Sequence, residues 1–138
     1  MKKFKLTLVL LLALILLSVS ACAPSSESLA KDGDNVVLFI SENYELSEGE
    51  TLATFMGRLV GSKKISSFIF KDGMLTALNG KAAKGNVYWM LYTDDSEYSN
   101  NAWGSVTLDG VTYYSATLGA EELPVKMGCT YVWMAQAF

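Results

Sequence analysis

The sequence predicts an α+β domain of β-grasp type, with one helix covering a mixed β-sheet and an extra β-hairpin added to it. Three observations predict it: one stretch with helical apolar spacing, several short β-branched or aromatic runs around it, and Asp-Gly or Asn-Gly pairs between those runs. VVLFI, Val36 to Ile40, is the first strand, bounded by Gly33, Asp34 and Asn35. The helix follows in TLATFMGRLVG. Its apolar residues Leu52, Phe55, Met56, Leu59 and Val60 recur at i, i+3, i+4, i+7 and i+8, one stripe that must find a sheet to cover. Thr51 can cap its start and Gly61 can end it, while Gly57 lies off the stripe.

The rest reads as strands. Phe68 to Lys71 and Met74 to Leu78 flank Asp72-Gly73, and Val106 to Leu108 and Val111 to Tyr114 flank Asp109-Gly110. An Asp-Gly pair between apolar runs predicts a tight hairpin, because both turn residues need positive φ. Asn79-Gly80 marks another turn, and Asn100-Asn101 with Gly104 a longer loop. The closing run, Thr130 to Phe138, is apolar on both alternating faces and belongs inside the sheet.

The stretch NVYWMLYTDDSEY, Asn86 to Tyr98, combines aromatics with acids. Alternation puts Val87, Trp89 and Leu91 on one face and Tyr88, Met90 and Tyr92 on the other, the pattern of a central strand. Asp94, Asp95 and Glu97 then fall where the strand leaves the core, as exposed turn carboxylates. As a hydrolytic pair, Asp94 with Glu121 or Glu122 would need a cleft and one raised pKa, and no residue pattern supplies either. As a calcium loop, TDDSEYSNN lacks the required spacing and closing glutamate. No Gly-rich loop leads into a helix with a lysine behind it, so a phosphate cradle is not indicated.

The N-terminus predicts a location. Three lysines in the first five residues precede an uncharged run from Leu6 to Val19, the order of a signal peptide and shorter than a membrane-spanning helix needs. Val19, Ser20 and Ala21 before Cys22 resemble a bacterial lipobox. Residues 1–21 are thus expected to be removed, Cys22 to carry lipid, and residues 22–35 to form a polar tether ahead of a domain at 36–138. The expected localisation is extracytoplasmic, on a bacterial cell membrane through the N-terminal lipid. Loss of Lys2, Lys3 and Lys5 leaves 8 basic against 14 acidic residues, a formal charge of −6. Such a body does not suit nucleic acid.

There are two cysteines and no histidine. With Cys22 lipidated, Cys129 has no partner in the chain and reads as a small buried thiol. The missing imidazole removes Ser-His, Cys-His and zinc-His arrangements together, so neither a catalytic residue nor a metal ligand is expected and the chain reads as a non-enzyme.

Specific motifs carry a family resemblance. GETL at 49 to 52, DGMLTALNGK at 72 to 81, YWMLYTDD at 88 to 95, GAEELPVKMG at 119 to 128 and YVW at 131 to 133 are similar, in order and spacing, to a bacterial domain family resembling the C-terminal domain of transcobalamin and intrinsic factor. This chain departs from that pattern at Thr93-Asp94-Asp95, where a Val-Asn-Gly turn is usual, and at Cys129, where Asp is usual. The resemblance implies a β-grasp-like fold and a corrinoid ligand, cobalamin, although the animal relatives enclose it with an α-helical barrel that this chain lacks. No resident cofactor is expected.

The hairpin after Tyr98, NNAWGSVTLDGVTYYS, carries aromatics beyond the family pattern. Trp103, Tyr113 and Tyr114 are therefore the candidate ligand-binding residues, since Trp and Tyr offer large stiff apolar faces at small entropic cost. Their partner would be an unknown small ligand or, as the alternative, a protein or glycan of the cell envelope. A concave pocket would favour the first, a flat aromatic patch the second.

Overall fold

We describe a computed structural model, which covers residues 30–31 and 35–138. The signal peptide, Cys22 and most of the tether lie outside the described residues. Among the described residues nine strands and one α-helix follow one another: β1 (Ala30–Lys31), β2 (Val36–Ile40), α1 (Leu52–Gly61), β3 (Phe68–Lys71), β4 (Met74–Leu78), β5 (Lys81–Ala82), β6 (Val87–Thr93), β7 (Ser99–Leu108), β8 (Val111–Ala116) and β9 (Thr130–Ala137). A 3-10 turn, Ser41–Asn43, follows β2. Among the described residues no helix is long and apolar enough to cross a membrane.

The architecture is α+β, but with two sheets. One has six strands in the order β1-β2-β9-β6-β8-β7, the other three in the order β3-β4-β5. Every described pairing is antiparallel, which corrects the expected mixed sheet. The closing strand is the reason. β9 runs antiparallel to both β2 and β6, so those two point the same way yet never touch, and no parallel ladder forms. β1 pairs with β2 through Ala30 and Lys31, so the sheet begins inside the segment read as tether.

The helix forms where its stripe predicts. Leu52, Phe55, Met56 and Leu59 are buried against Val37, Phe39, Leu91, Tyr131 and Trp133 of the large sheet and Leu75 and Leu78 of the small one. Its first free N–H groups are satisfied by a neighbouring loop, Leu52 N donating to Leu123 O at 2.8 Å and Ala53 N to Ala120 O at 2.8 Å. Thr51 Oγ1 accepts from Thr54 N at a long 3.4 Å. Thr51→Ala should accordingly lower stability by about 0.5 to 1 kcal/mol, the weak end of capping effects, read as a shifted urea midpoint at unchanged slope. Gly61 is the last helical residue, but the left-handed position that turns the chain is Lys63, at φ 60°.

The hairpin turns obey their sequence signals. Asp72 and Gly73 (φ 52° and 77°), Asn79 and Gly80 (50° and 78°) and Asp109 and Gly110 (49° and 80°) all place both central residues at positive φ. The Asn100, Asn101 and Gly104 segment is not a loop. It lies within β7, where pairing jumps from Asn100↔Ser115 to Ser105↔Tyr114 and leaves residues 101–104 with no residue opposite. Beyond this bulge the hairpin bends over the face of the large sheet opposite the helix. There Val106 and Tyr113 pack with Val36, Leu38, Tyr92 and Val132, on strands as far away in the sheet as β2. The two faces of the sheet thus have different covers, α1 with the small sheet on one and the tip of β7–β8 on the other.

Candidate functional site

The three hairpin aromatics part company. Tyr113 is 7% exposed, its ring inside the second cluster, so it is a core residue and offers no face to a partner. Burial raises its hydroxyl pKa, with the Asp94 carboxylate adding to the effect. Tyr114, the next residue, faces the other way and is exposed. Trp103 stands in the bulge with 64% of its surface in water. The bulge holds it there by construction: Asn100 Oδ1 accepts from Ala102 N at 2.8 Å, and Gly104 takes φ 116°, which a side chain would resist. Around these rings the strands carry Ser105, Thr107 and Thr112, the two threonine hydroxyls 3.0 Å apart, and no charged residue lies in 99–108 or 111–116.

The acidic turn after β6 is a structural staple. Thr93 Oγ1 donates to Thr130 O at 2.8 Å and accepts from Asp95 N at 3.1 Å, and Asp94 Oδ1 accepts from Thr130 N at 2.7 Å. Asp95, expected in solvent, is 4% exposed, because its Oδ1 receives Glu97 N at 3.0 Å and the Lys126 ammonium at 3.3 Å. Lys126 also pairs with Glu97 and lies 4.7 Å over the Tyr98 ring. That pairing lowers the Glu97 pKa and lifts Lys126 well above the ordinary lysine value. Nearby, burial pushes the Tyr131 hydroxyl up to about 12, and burial followed by the Asp95 and Asp94 charges raises the half-buried Cys129 thiol. A raised thiol is mostly protonated at neutral pH, which is the opposite of what a nucleophile needs. Asp94 is committed to the β9 main chain, and Glu121 sits by the Gly73 turn.

Two concave features stand elsewhere. A shallow cleft of about 410 Å³ lies past the helix end, against Val60, Lys63, Lys64, Ile65, Ser66 and Asn79. A more apolar one, of about 250 Å³, lies between β6 and the chain leaving β8; Met74, Trp89, Met90, Leu118 and Trp133 are among its walls. Trp133 is 4% exposed and its Nε1–H has no acceptor among the described residues, whereas Trp89 Nε1 donates to Lys81 O at 3.1 Å. Neither cleft is lined by Trp103, Tyr113 or Tyr114. Sequence reading passed over Trp89 and Trp133 because both sit in core-facing strand positions; an unpaired indole N–H leaves no mark in a sequence.

No family model, curated protein or solved structure matches this chain. The motif resemblance to the transcobalamin-type domain therefore has no counterpart among those comparisons. Among the described residues no group of three or more His, Cys, Asp or Glu is placed to hold a metal ion.

Proposed function

We propose that this chain is a lipid-anchored, extracytoplasmic recognition module that binds a glycan of the cell envelope without transforming it. The observation that carries this reading is Trp103, a large apolar ring kept in solvent by a four-residue bulge and neighboured by uncharged hydroxyl-bearing strands. An apolar ring face flanked by neutral donors and acceptors matches a sugar, whose C–H face stacks on indole while its hydroxyls hydrogen-bond. The lipobox motif ending in Cys22 supports the anchor, and the absence of histidine supports a non-catalytic role. The corrinoid reading follows from the family resemblance alone. It is the weaker one because both clefts are small for such a ligand and the hairpin aromatics lie outside them.

Co-sedimentation of the protein with insoluble cell-wall polysaccharide tests the proposal. Wild type should pellet with the polymer. Trp103→Ala should lose at least about fivefold in affinity, as expected for losing one stacked ring worth about 1 kcal/mol or more, with its melting temperature unchanged. Equal retention of both proteins would overturn the assignment to Trp103, and saturable cobalamin binding by the same sample would favour the corrinoid reading.

A further inference from the structure

The large sheet has a gap in it. β6 pairs with β9 along its whole length, Val87 to Thr93, but with β8 only at Tyr92↔Ser115 and Thr93↔Tyr114. From Ser115 onward the chain departs through Thr117, whose N–H donates to Tyr98 O at 2.9 Å, and no described strand pairs with that edge of Val87–Leu91. Val87 N donates to Lys84 O at 3.0 Å, which leaves Tyr88–Leu91 as the unpaired stretch; four strand residues span about 13 Å and present at most two main-chain groups of each kind on that edge. The cleft of about 250 Å³ lies along this edge, with Met74 and Leu75 on its far side, Leu118 and Gly119 closing it and the buried, unpartnered Trp133 indole among its walls.

We propose that this cleft is a strand-addition site for a short, extended, uncharged peptide, which pairs through its main chain with the free edge of β6. An unpaired edge requires alternating donors and acceptors at strand spacing, and an extended peptide supplies them. None of the cleft-lining residues is charged, and the Glu121 carboxylate lies 3.9 Å from where a Cβ on Gly73 would stand. An acidic segment is therefore disfavoured and apolar side chains suit the Met and Trp walls. A carbonyl of the added strand is the kind of acceptor that the Trp133 N–H lacks. The cleft volume, equal to about eight waters, admits a few residues rather than a folded domain. The site is separate from the Trp103 surface and does not rest on glycan recognition.

The test uses the full chain and the capped pentapeptide acetyl-Val-Thr-Val-Thr-Val-amide, followed by tryptophan fluorescence, since two of the three tryptophans line the cleft. Two analogues are compared, one N-methylated at the odd residues and one at the even residues, each blocking the donors on one edge of the peptide. The expected result is saturable binding of the parent, at least about tenfold loss for one analogue and retention for the other, because only one edge of an added strand faces β6. Ala116→Phe, which places a ring in the cleft, should lose parent binding, and Trp103→Ala should keep it. Equal binding of both analogues, or no binding of the parent at millimolar concentration, would overturn strand addition. Loss of peptide binding in Trp103→Ala would overturn the separation of the two sites.

Discussion

Phe55→Ala should cost about 3 to 5 kcal/mol of folding stability, the range for removing a fully buried phenyl ring. Phe55 is completely buried at the centre of the helix stripe. Its ring meets Phe39 of the large sheet edge to face at 6.0 Å and Tyr44 at 5.1 Å, so truncation opens a void between the helix and the strand beneath it. A ten-residue helix is not stable by itself in water; packing of this face is what keeps it formed. For a domain of this size, with about 5 to 15 kcal/mol in total, the loss removes about a fifth of the margin or more. It should appear as a fall in melting temperature of more than about 12 °C and a matching shift in the denaturant midpoint. A change below about 1 kcal/mol would mean that the stripe is not the main cover of the sheet.

The second large effect is expected at Arg58→Ala. The Glu50 carboxylate is buried and held bidentately, Arg58 Nε to Oε1 at 2.6 Å and Nη2 to Oε2 at 2.8 Å, with Ser47 N at 3.1 Å. The same Nη2 donates to Glu45 O at 2.6 Å, tying the 45–50 loop to the helix, and the guanidinium lies 5.5 Å from the Phe55 ring centroid. Removing the cation strands a buried anion. Fully buried pairs lose about 3 to 5 kcal/mol when broken, and the Arg58 side chain, 44% exposed, reduces the expectation here to about 2 to 3 kcal/mol. Glu50→Gln in the same chain should restore part of the loss, because the neutral amide is cheaper to bury.

This pair also sets a pH dependence. The Arg58 hydrogen bond outweighs desolvation and holds the Glu50 pKa below the ordinary glutamate value of about 4.3. A group with a depressed folded pKa stabilises fully above its unfolded value and loses that contribution as pH falls through the folded one. Wild type should therefore lose stability on acidification below about pH 4.3 more steeply than Arg58→Ala, and the gap between the two should narrow. Denaturation midpoints measured from pH 7 to pH 3 would check it; a constant gap would place the ion-pair energy elsewhere.

The elements were legible in the sequence wherever they depend on neighbours along the chain. The helix bounds followed from the five-residue stripe, the first strand from VVLFI, and three turns from Asp-Gly and Asn-Gly. The two faces of β6 followed from alternation: Trp89 and Leu91 lie in one cluster and Tyr92 in the other. Less legible was the bulge, since Asn-Asn and Gly signal a break in regular structure without saying whether it lies between strands or inside one. Asp95 was misjudged because its burial depends on Lys126, thirty-one residues away.

By itself the sequence determined the helix, three tight turns and most of the strands, though not β1, β5 or the first half of β7, since steric limits on φ and side-chain periodicity act over a few residues. Only the tertiary structure decided that β9 separates β2 from β6, that Tyr113 is core while Tyr114 and Trp103 face water, and that β6 keeps an open edge over a cleft. Each of those outcomes depends on which distant segments meet, and a chain's local preferences carry no information about the neighbour that finally covers them.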